Sequence, residues 1–519
     1  MAEPARRSAW IPARVAQIAL LIAAVGFAAH AVIGLQGAYL SYLSGIWLSF
    51  ARDLAKDGVF YRDLVSDLGY GGTRYFPLFF AAIAALMKAG MSPASAGLAA
   101  GGLSLGVLSF GSYRLARASG VPATTAAVFA AAASTPYFAL QTAFEVRADV
   151  LAAGLNLLGI ALVLPVWAET NRGRDLPLLP AAIVFVLAFT AKVTAFTMPA
   201  SLVVAAILTG RFRLAAVLGA SVASGAAVFL AFVQVASAGR ALHVWGAVML
   251  GGSDSAGTIW SALGGGFLRG LMNSHLIVAA GVVAVAALVA GAVTGRRSRE
   301  EHNGGIPLAV PGAIWAGASA TVAVTLASPG TVPANQVIEW ISVSMLVPAL
   351  VAGPRVFLQR SAAFLAVVMV VWMAGQNMMR ARERAPSVSR EHRAMVRVLV
   401  DRVRLLPAPI LSESAMWPIL AEREVILPDP FAVRIVSRAR KGIEARLVGE
   451  IEARRYGAII LEFDPSSREG EAMYTNAHFT PGVIAAIRAH YRLESDADSM
   501  GFVFLPVGPR TGVDTPRLY

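Results

Sequence analysis

The sequence predicts an all-α polytopic membrane bundle with a small α/β domain outside the membrane at its carboxyl end. Composition, loop charge and a change of texture near residue 380 point to it. Of the 519 residues, 57% are apolar and only 14% charged. With a mean hydropathy of +0.64, the chain is too apolar for a water-soluble globule. Apolar runs are separated by short loops that alternate between arginine-rich and arginine-poor, the pattern of a chain that crosses a bilayer repeatedly. From residue 380 onward the apolar runs shorten and charge density rises. Short β-branched runs there alternate with helical patterns.

Several function classes drop out at once. There is no cysteine, so disulfides, a thiolate nucleophile and cysteine metal sites are excluded. The net charge of +13 is scattered through short loops and one tail, which fits membrane topology better than a nucleic-acid surface. The seven histidines are dispersed without metal-ligand spacing, and neither a P-loop nor a GxSxG motif is present.

Taken in order, Arg6, Arg7 and Arg14 precede an apolar run at 15–35, long enough to span. Ala29-His30-Ala31 would suit signal cleavage, but the run exceeds a signal-peptide core. A polar loop at 36–93 follows. Within it, 45–54 has the spacing and aromatic content of an amphipathic helix lying on the bilayer, with Arg52, Asp53, Lys56 and Asp57 as its wet face. Residues 76–87 are apolar for too short a stretch to cross, which favours a re-entrant or interfacial helix. Later spans are expected at 94–113, 122–140, 150–168, 177–191, 194–209, 213–236, 268–293, 306–328, 337–353 and 361–379. This register puts Arg114, Arg117, Arg172, Arg174, Arg211, Arg213, Arg296, Arg297, Arg299, Arg355 and Arg360 on one side. The positive-inside rule then gives about 11 spans in an inner or plasma membrane, amino end cytoplasmic and carboxyl end outside. The chain divides into a membrane domain, 1–379, and an extramembrane domain, 380–519. In the latter, 410–414, 425–427, 458–463 and 502–505 read as strands. Helical patterns cover 390–404, 432–440, 443–455 and 481–491, and 464–474 reads as a loop.

Polar groups are costly at membrane depth, so those near the outer face are candidates for chemistry. In Gly71-Gly72-Thr73-Arg74-Tyr75 the glycines permit close backbone approach, Arg74 can fork onto a phosphate and Tyr75 can stack on a sugar. The alternative is a turn with a snorkelling arginine. In 142–150, a helix starting near Phe144 would place Glu145 and Asp149 on one face. Their mutual repulsion could raise one pKa towards that of a useful base. The alternative is that they complement the helix dipole, with Arg147 as a local partner. Lys192, Asn335 and Glu339 form the third group, either converging on the same cavity or serving as structural ion-pair partners. Glu145 and Asp149 are thus the candidate catalytic acids. Arg74, Tyr75, Arg147, Lys192, Asn335 and Glu339 are the candidate donor-binding residues, and no metal ligand set stands out.

The first span, the loop SGIWLSFARDLAKDGVFYRD, the segment GGTRYFPLFF, the span start RADVLAAGLNLLGIAL, the turn FTAKVTAF and SPGTVPANQVIEW occur in an order that resembles the C-type glycosyltransferases (GT-C fold). The likeness is to bacterial members near the aminoarabinose-transferase and dolichyl-phosphate-mannose groups, family 39-like, and covers 15–350. It implies transfer of a sugar from a polyprenyl-phosphate donor, probed here by Arg74, Arg147 or Lys192 as phosphate cations, to an envelope glycan, lipid or protein on the outer face. In that family the loop helix usually begins with an acid, where this chain has Leu43 and Ser44. Asp53, Glu145 or Asp149 would then serve as base, and direct displacement would invert the anomeric carbon. No cofactor is implied. A divalent cation could replace one of the basic side chains. Two other classes fit a chain of this kind: a lipid-carrier transporter or flippase, which should show an inverted repeat, and a membrane-anchored envelope-assembly protein whose tail does the work.

Overall fold

The computed structural model describes residues 10–67, 69–73, 75–168, 178–251, 275–297, 307–326, 337–352, 356–476, 478–495 and 501–508. The membrane half opens with α1 (Ala13–Leu35), α2 (Tyr42–Asp57), a small hairpin of β1 (Val65–Ser66) and β2 (Gly69–Tyr70), and α3 (Pro77–Lys88). It continues through α4 (Pro93–Ala118), α5 (Ala123–Ser134), α6 (Tyr137–Phe144), α7 (Asp149–Ala168) and α8 (Leu178–Ala191). After a 3₁₀ turn at Val193–Phe196 come α9 (Thr197–Leu208), α10 (Phe212–Ala236), α11 (Arg240–Gly251), α12 (His275–Arg297), α13 (Ala309–Leu326), α14 (Ile338–Ala352) and α15 (Val356–Arg384).

Among the described residues, six helices are long and apolar enough to cross a membrane, or seven if α5 and α6 count as one span bent by 63°. The others, including α3, α8, α13 and α14, are shorter apolar helices. The expectation of about 11 full spans is therefore not confirmed: six or seven helices reach that length among the described residues. The segment expected to span at 122–140 breaks at Thr135-Pro136, where proline cannot continue the helix before it. The bundle is tight where α4 crosses α7: a Cβ on Gly154 would lie 2.5 Å from the backbone nitrogen of Leu108. Small residues at such crossings let helix backbones approach without a hydrophobic driving force between them.

The C-terminal domain comprises α16 (Arg390–Leu405), β3 (Ile410–Ser412), α17 (Met416–Leu420), α18 (Pro430–Ala439), α19 (Lys441–Glu452), β4 (Ala458–Leu461), α20 (Arg468–Asn476), α21 (Pro481–His490), β5 (Tyr491–Ser495) and β6 (Phe502–Pro506). Its sheet has the order β3-β4-β6-β5. β3 and β4 are parallel, with Ile410 opposite Ala458, and the other two pairings are antiparallel. Two expectations fail here. Residues 425–427 do not form a strand; the Ile426 carbonyl instead accepts one bond from the Tyr70 amide at 2.9 Å. The expected loop at 464–474 contains most of α20, opened where the Asp464 carboxylate accepts from the Ser466 amide and its carbonyl from the Ser467 hydroxyl.

α2, the helix of the 36–93 loop, is buried in protein along most of its length, and of its expected wet face only Lys56 and Asp57 are exposed. α2 buries Ser44 through Ala51 without interruption, and Asp53 besides. A helix buried around its circumference is covered on every side. Phe79, Phe80 and Ile83 of α3 share one buried cluster with α2, and Ala415, Met416 and Ile419 of the C-terminal domain belong to that same cluster. A Cβ on Gly45 would lie 2.5 Å from the Met416 nitrogen, so Gly45→Leu should detach the C-terminal domain. The expected cost is about 1–3 kcal/mol, read as faster proteolysis at 385–410 in the intact protein.

The hairpin is locked to the domain through Glu450. Its carboxylate accepts from Tyr70 (2.8 Å), Tyr456 (2.6 Å) and Arg455 (2.6 Å). Burial opposes the charge, but the hydroxyls of Tyr456 and Tyr70, then Arg446 and Arg455, outweigh it and hold the carboxyl below its ordinary value. A depressed carboxyl contributes stability that is present above the ordinary glutamate value and is lost as pH falls through the folded value. Glu450→Gln should therefore cost about 1.5–3 kcal/mol at neutral pH. The gap from the wild type should narrow in melts taken near about pH 3.5.

Candidate active site

The turn between α6 and α7, Glu145-Val146-Arg147-Ala148, organises the site. Val146 has φ 59°, a left-handed conformation that strains a β-branched residue and persists only where its surroundings enforce it. Here Val146 is fully buried among α2, α3 and α4. The Ser44 hydroxyl donates to the Glu145 carbonyl at 2.9 Å and also caps the first turn of α2 by accepting from the Ser41 amide at 3.0 Å. The residue at the position where the resemblance implies an acid therefore ties the outer helix to the turn.

The turn separates the two acids expected to share a helix face. Glu145 ends α6, where its carboxylate accepts from Gln141 Nε2 at 3.0 Å and faces Arg147 at 3.6 Å. Asp149 begins α7 and pairs with Lys192 at 2.6 Å. They face different cations, Glu145 facing Arg147 and Asp149 pairing with Lys192. Arg147 and Asp149 are both buried, and Lys192 keeps one fifth of its side-chain surface exposed. Lys192 sits in extended backbone between α8 and the 3₁₀ turn, which lets its side chain reach the tip of α7.

Asp53 lies elsewhere. Arg62 forks onto both of its oxygens, each at 2.6 Å, and also donates to the Val425 carbonyl. This pair lines a charged cleft of about 620 Å³ between the outer loop and the C-terminal domain. Burial pushes the Asp53 carboxyl up while the Arg62 guanidinium pulls it down. Tyr75 packs against Trp47 with ring centroids 4.4 Å apart, and its carbonyl accepts from Tyr61. Glu339 is buried at the start of α14, where Asn156 of α7 donates to it at 2.6 Å and to the Ala195 carbonyl at 3.2 Å. It joins α7 to α14. Arg74 and Asn335 fall outside the described residues.

Sequence reasoning passed over Asn156, a lone amide in an apolar run and a visible signal by its cost in a membrane. It also passed over Tyr42, whose hydroxyl donates to Asp429 at 3.1 Å and whose ring stacks on His478 at 4.8 Å. Neither contact has a sequence signature, because Tyr42 and Asp429 are 387 residues apart.

No protein-family model matches the chain, and no curated protein matches it by sequence. Solved structures do match. ArnT from Cupriavidus metallidurans bound to undecaprenyl phosphate superposes with TM-score 0.58 at 12% identity, over 95% of this chain and 99% of that one. The chain has the GT-C fold. The Archaeoglobus fulgidus oligosaccharyltransferase complex with zinc and sulfate agrees, with TM-score 0.54 at 13% identity over 93% of this chain and 73% of that one. In this GT-C chain the two ion pairs occupy one end of the bundle, and α2 and the C-terminal domain cover that end.

Proposed function

We propose that this protein is an integral-membrane glycosyltransferase. It moves a sugar from a polyprenyl-phosphate donor to an envelope acceptor on the non-cytosolic face, with inversion. The observation that carries the reading is the pairing of Lys192 with Asp149 beside Arg147 and Glu145, at the covered end of a GT-C bundle. The similarity to ArnT bound to undecaprenyl phosphate supports a polyprenyl-phosphate partner.

In the reaction the acceptor oxygen attacks the anomeric carbon as the bond from that carbon to the phosphate oxygen breaks. The electron pair leaves with the phosphate, so no acid is needed to protonate the leaving group. Lys192 and Arg147 stabilise the growing phosphate charge, an effect that is large in a dry, preorganised site. Asp149 holds Lys192 in place. Glu145, facing its arginine at 3.6 Å rather than in a tight pair, takes the acceptor proton. Tyr75, half-buried and backed by Trp47, offers a stacking surface for the sugar.

The test is turnover by the purified chain in nanodiscs, given a panel of polyprenyl-phosphate sugars and detergent-extracted envelope material as acceptor. Release of polyprenyl phosphate that requires acceptor, with an inverted product linkage, is expected. Movement of intact donor between leaflets of sealed vesicles without release would replace this reading with that of a transporter.

A further inference from the structure

The C-terminal domain holds a second polar cluster that the transfer reaction does not use. Glu413 directly follows β3 and Glu462 directly follows β4. Because these strands are parallel, with Ser412 opposite Ile460, the two acids leave the sheet at the same carboxyl ends, Glu462 one residue further along than Glu413, where open α/β sheets place their ligands. His478, just beyond α20, brings its ring against them, and Nδ1 shares a hydrogen bond with Glu413 Oε1. One ligand atom from each of the three residues lies within 4.8 Å of the others.

The surroundings are built to hold these groups. Glu413 is fully buried, and its Oε2 accepts from the Tyr474 hydroxyl and from the Glu462 amide, each at 2.7 Å. Tyr42 of α2 stacks on the imidazole at 4.8 Å. Partners that fix a ligand's orientation in this way are a usual feature of metal sites. Among the described residues neither carboxylate has an ion pair with lysine or arginine, and the one basic partner is His478. Two carboxylates in a buried place call for more positive charge than one imidazole supplies.

We propose that Glu413, Glu462 and His478 bind one divalent transition-metal ion, of the zinc or manganese kind, where the C-terminal domain meets the first turn of α2. A mixed nitrogen and carboxylate set suits these ions better than magnesium or calcium, which take oxygen ligands. An ion about 2.0–2.2 Å from each donor sets neighbouring donors roughly 3.4 Å apart. The Glu413–His478 contact opens on binding, Glu462 turns inward, and any proton shared across that contact leaves to solvent. Three protein donors leave a fourth position for water or a ligand oxygen. The site does not depend on the glycosyltransferase reading, and its test needs no turnover.

The full chain in detergent micelles is stripped with chelator and titrated with zinc, manganese and magnesium by calorimetry, with metal content read by mass spectrometry. One equivalent of zinc or manganese per chain is expected, and no magnesium heat. Glu462→Gln and His478→Gln should each weaken binding by at least about tenfold, while Glu469→Gln, an exposed acid of α20, leaves it unchanged. Replacing Glu413, the buried hub, risks unfolding the domain, so the first two variants decide. No bound zinc or manganese, or equal affinity in both variants, overturns the proposal.

Discussion

Lys192→Met is expected to lower transfer from a lipid-linked donor by roughly 10²–10³-fold. Methionine keeps the length of the side chain and removes the charge that meets the departing phosphate. The loss should appear in kcat more than in KM, because the leaving group gains its charge as the bond breaks. Lys192→Arg should recover part of the rate, since a guanidinium supplies the same charge through a different geometry. Glu145→Gln should cause a loss of similar size by removing the proton acceptor. Full activity in Lys192→Met with normal folding would remove this cluster from the mechanism.

The second large effect is on stability. Asp149 is buried and its Oδ1 lies 2.6 Å from the Lys192 ammonium. Asp149→Leu strands that cation, and breaking a buried pair by removing one partner costs about 3–5 kcal/mol. The double variant with Lys192→Met removes both charges and should recover much of the loss, a coupling that a double-mutant cycle in detergent melts measures directly. The same series separates two roles for Asp149. If it positions Lys192, Asp149→Asn should retain more activity than Glu145→Gln. The reverse order would make Asp149 the base and Glu145 the partner of Arg147.

The bundle was largely legible because long apolar runs announce themselves: α1, α4, α7 and α10 fall where hydropathy and loop arginines put them. Lys192, Asp149 and Glu145 stood out for the same reason, as charges beside apolar segments. What stayed hidden depends on tertiary contact. No local pattern announces a valine at positive φ, so the broken turn at 145–148 read as a continuous helix. The wet face assigned to α2 holds for Lys56 and Asp57, which are exposed, but Arg52 donates to the Arg423 carbonyl of the C-terminal domain and Arg62 pairs with Asp53 across the loop. The Glu413, Glu462 and His478 cluster left a faint trace, an acid directly after each of two short apolar strands, ILSE and IILE. Only the parallel pairing of those strands gives it meaning.

The account rests on the covered end of the bundle facing away from the cytosol, and single-cysteine labelling tests this most directly. The natural chain has no cysteine, so each introduced thiol reports alone. Asp57, Leu405 and Arg114 are exposed. With a membrane-impermeant maleimide on intact cells, cysteines replacing Asp57 and Leu405 should label, and one replacing Arg114 should label only after the membrane is opened. Labelling of the Arg114 position alone from outside would put Lys192 and its partners on the wrong side for the proposed reaction.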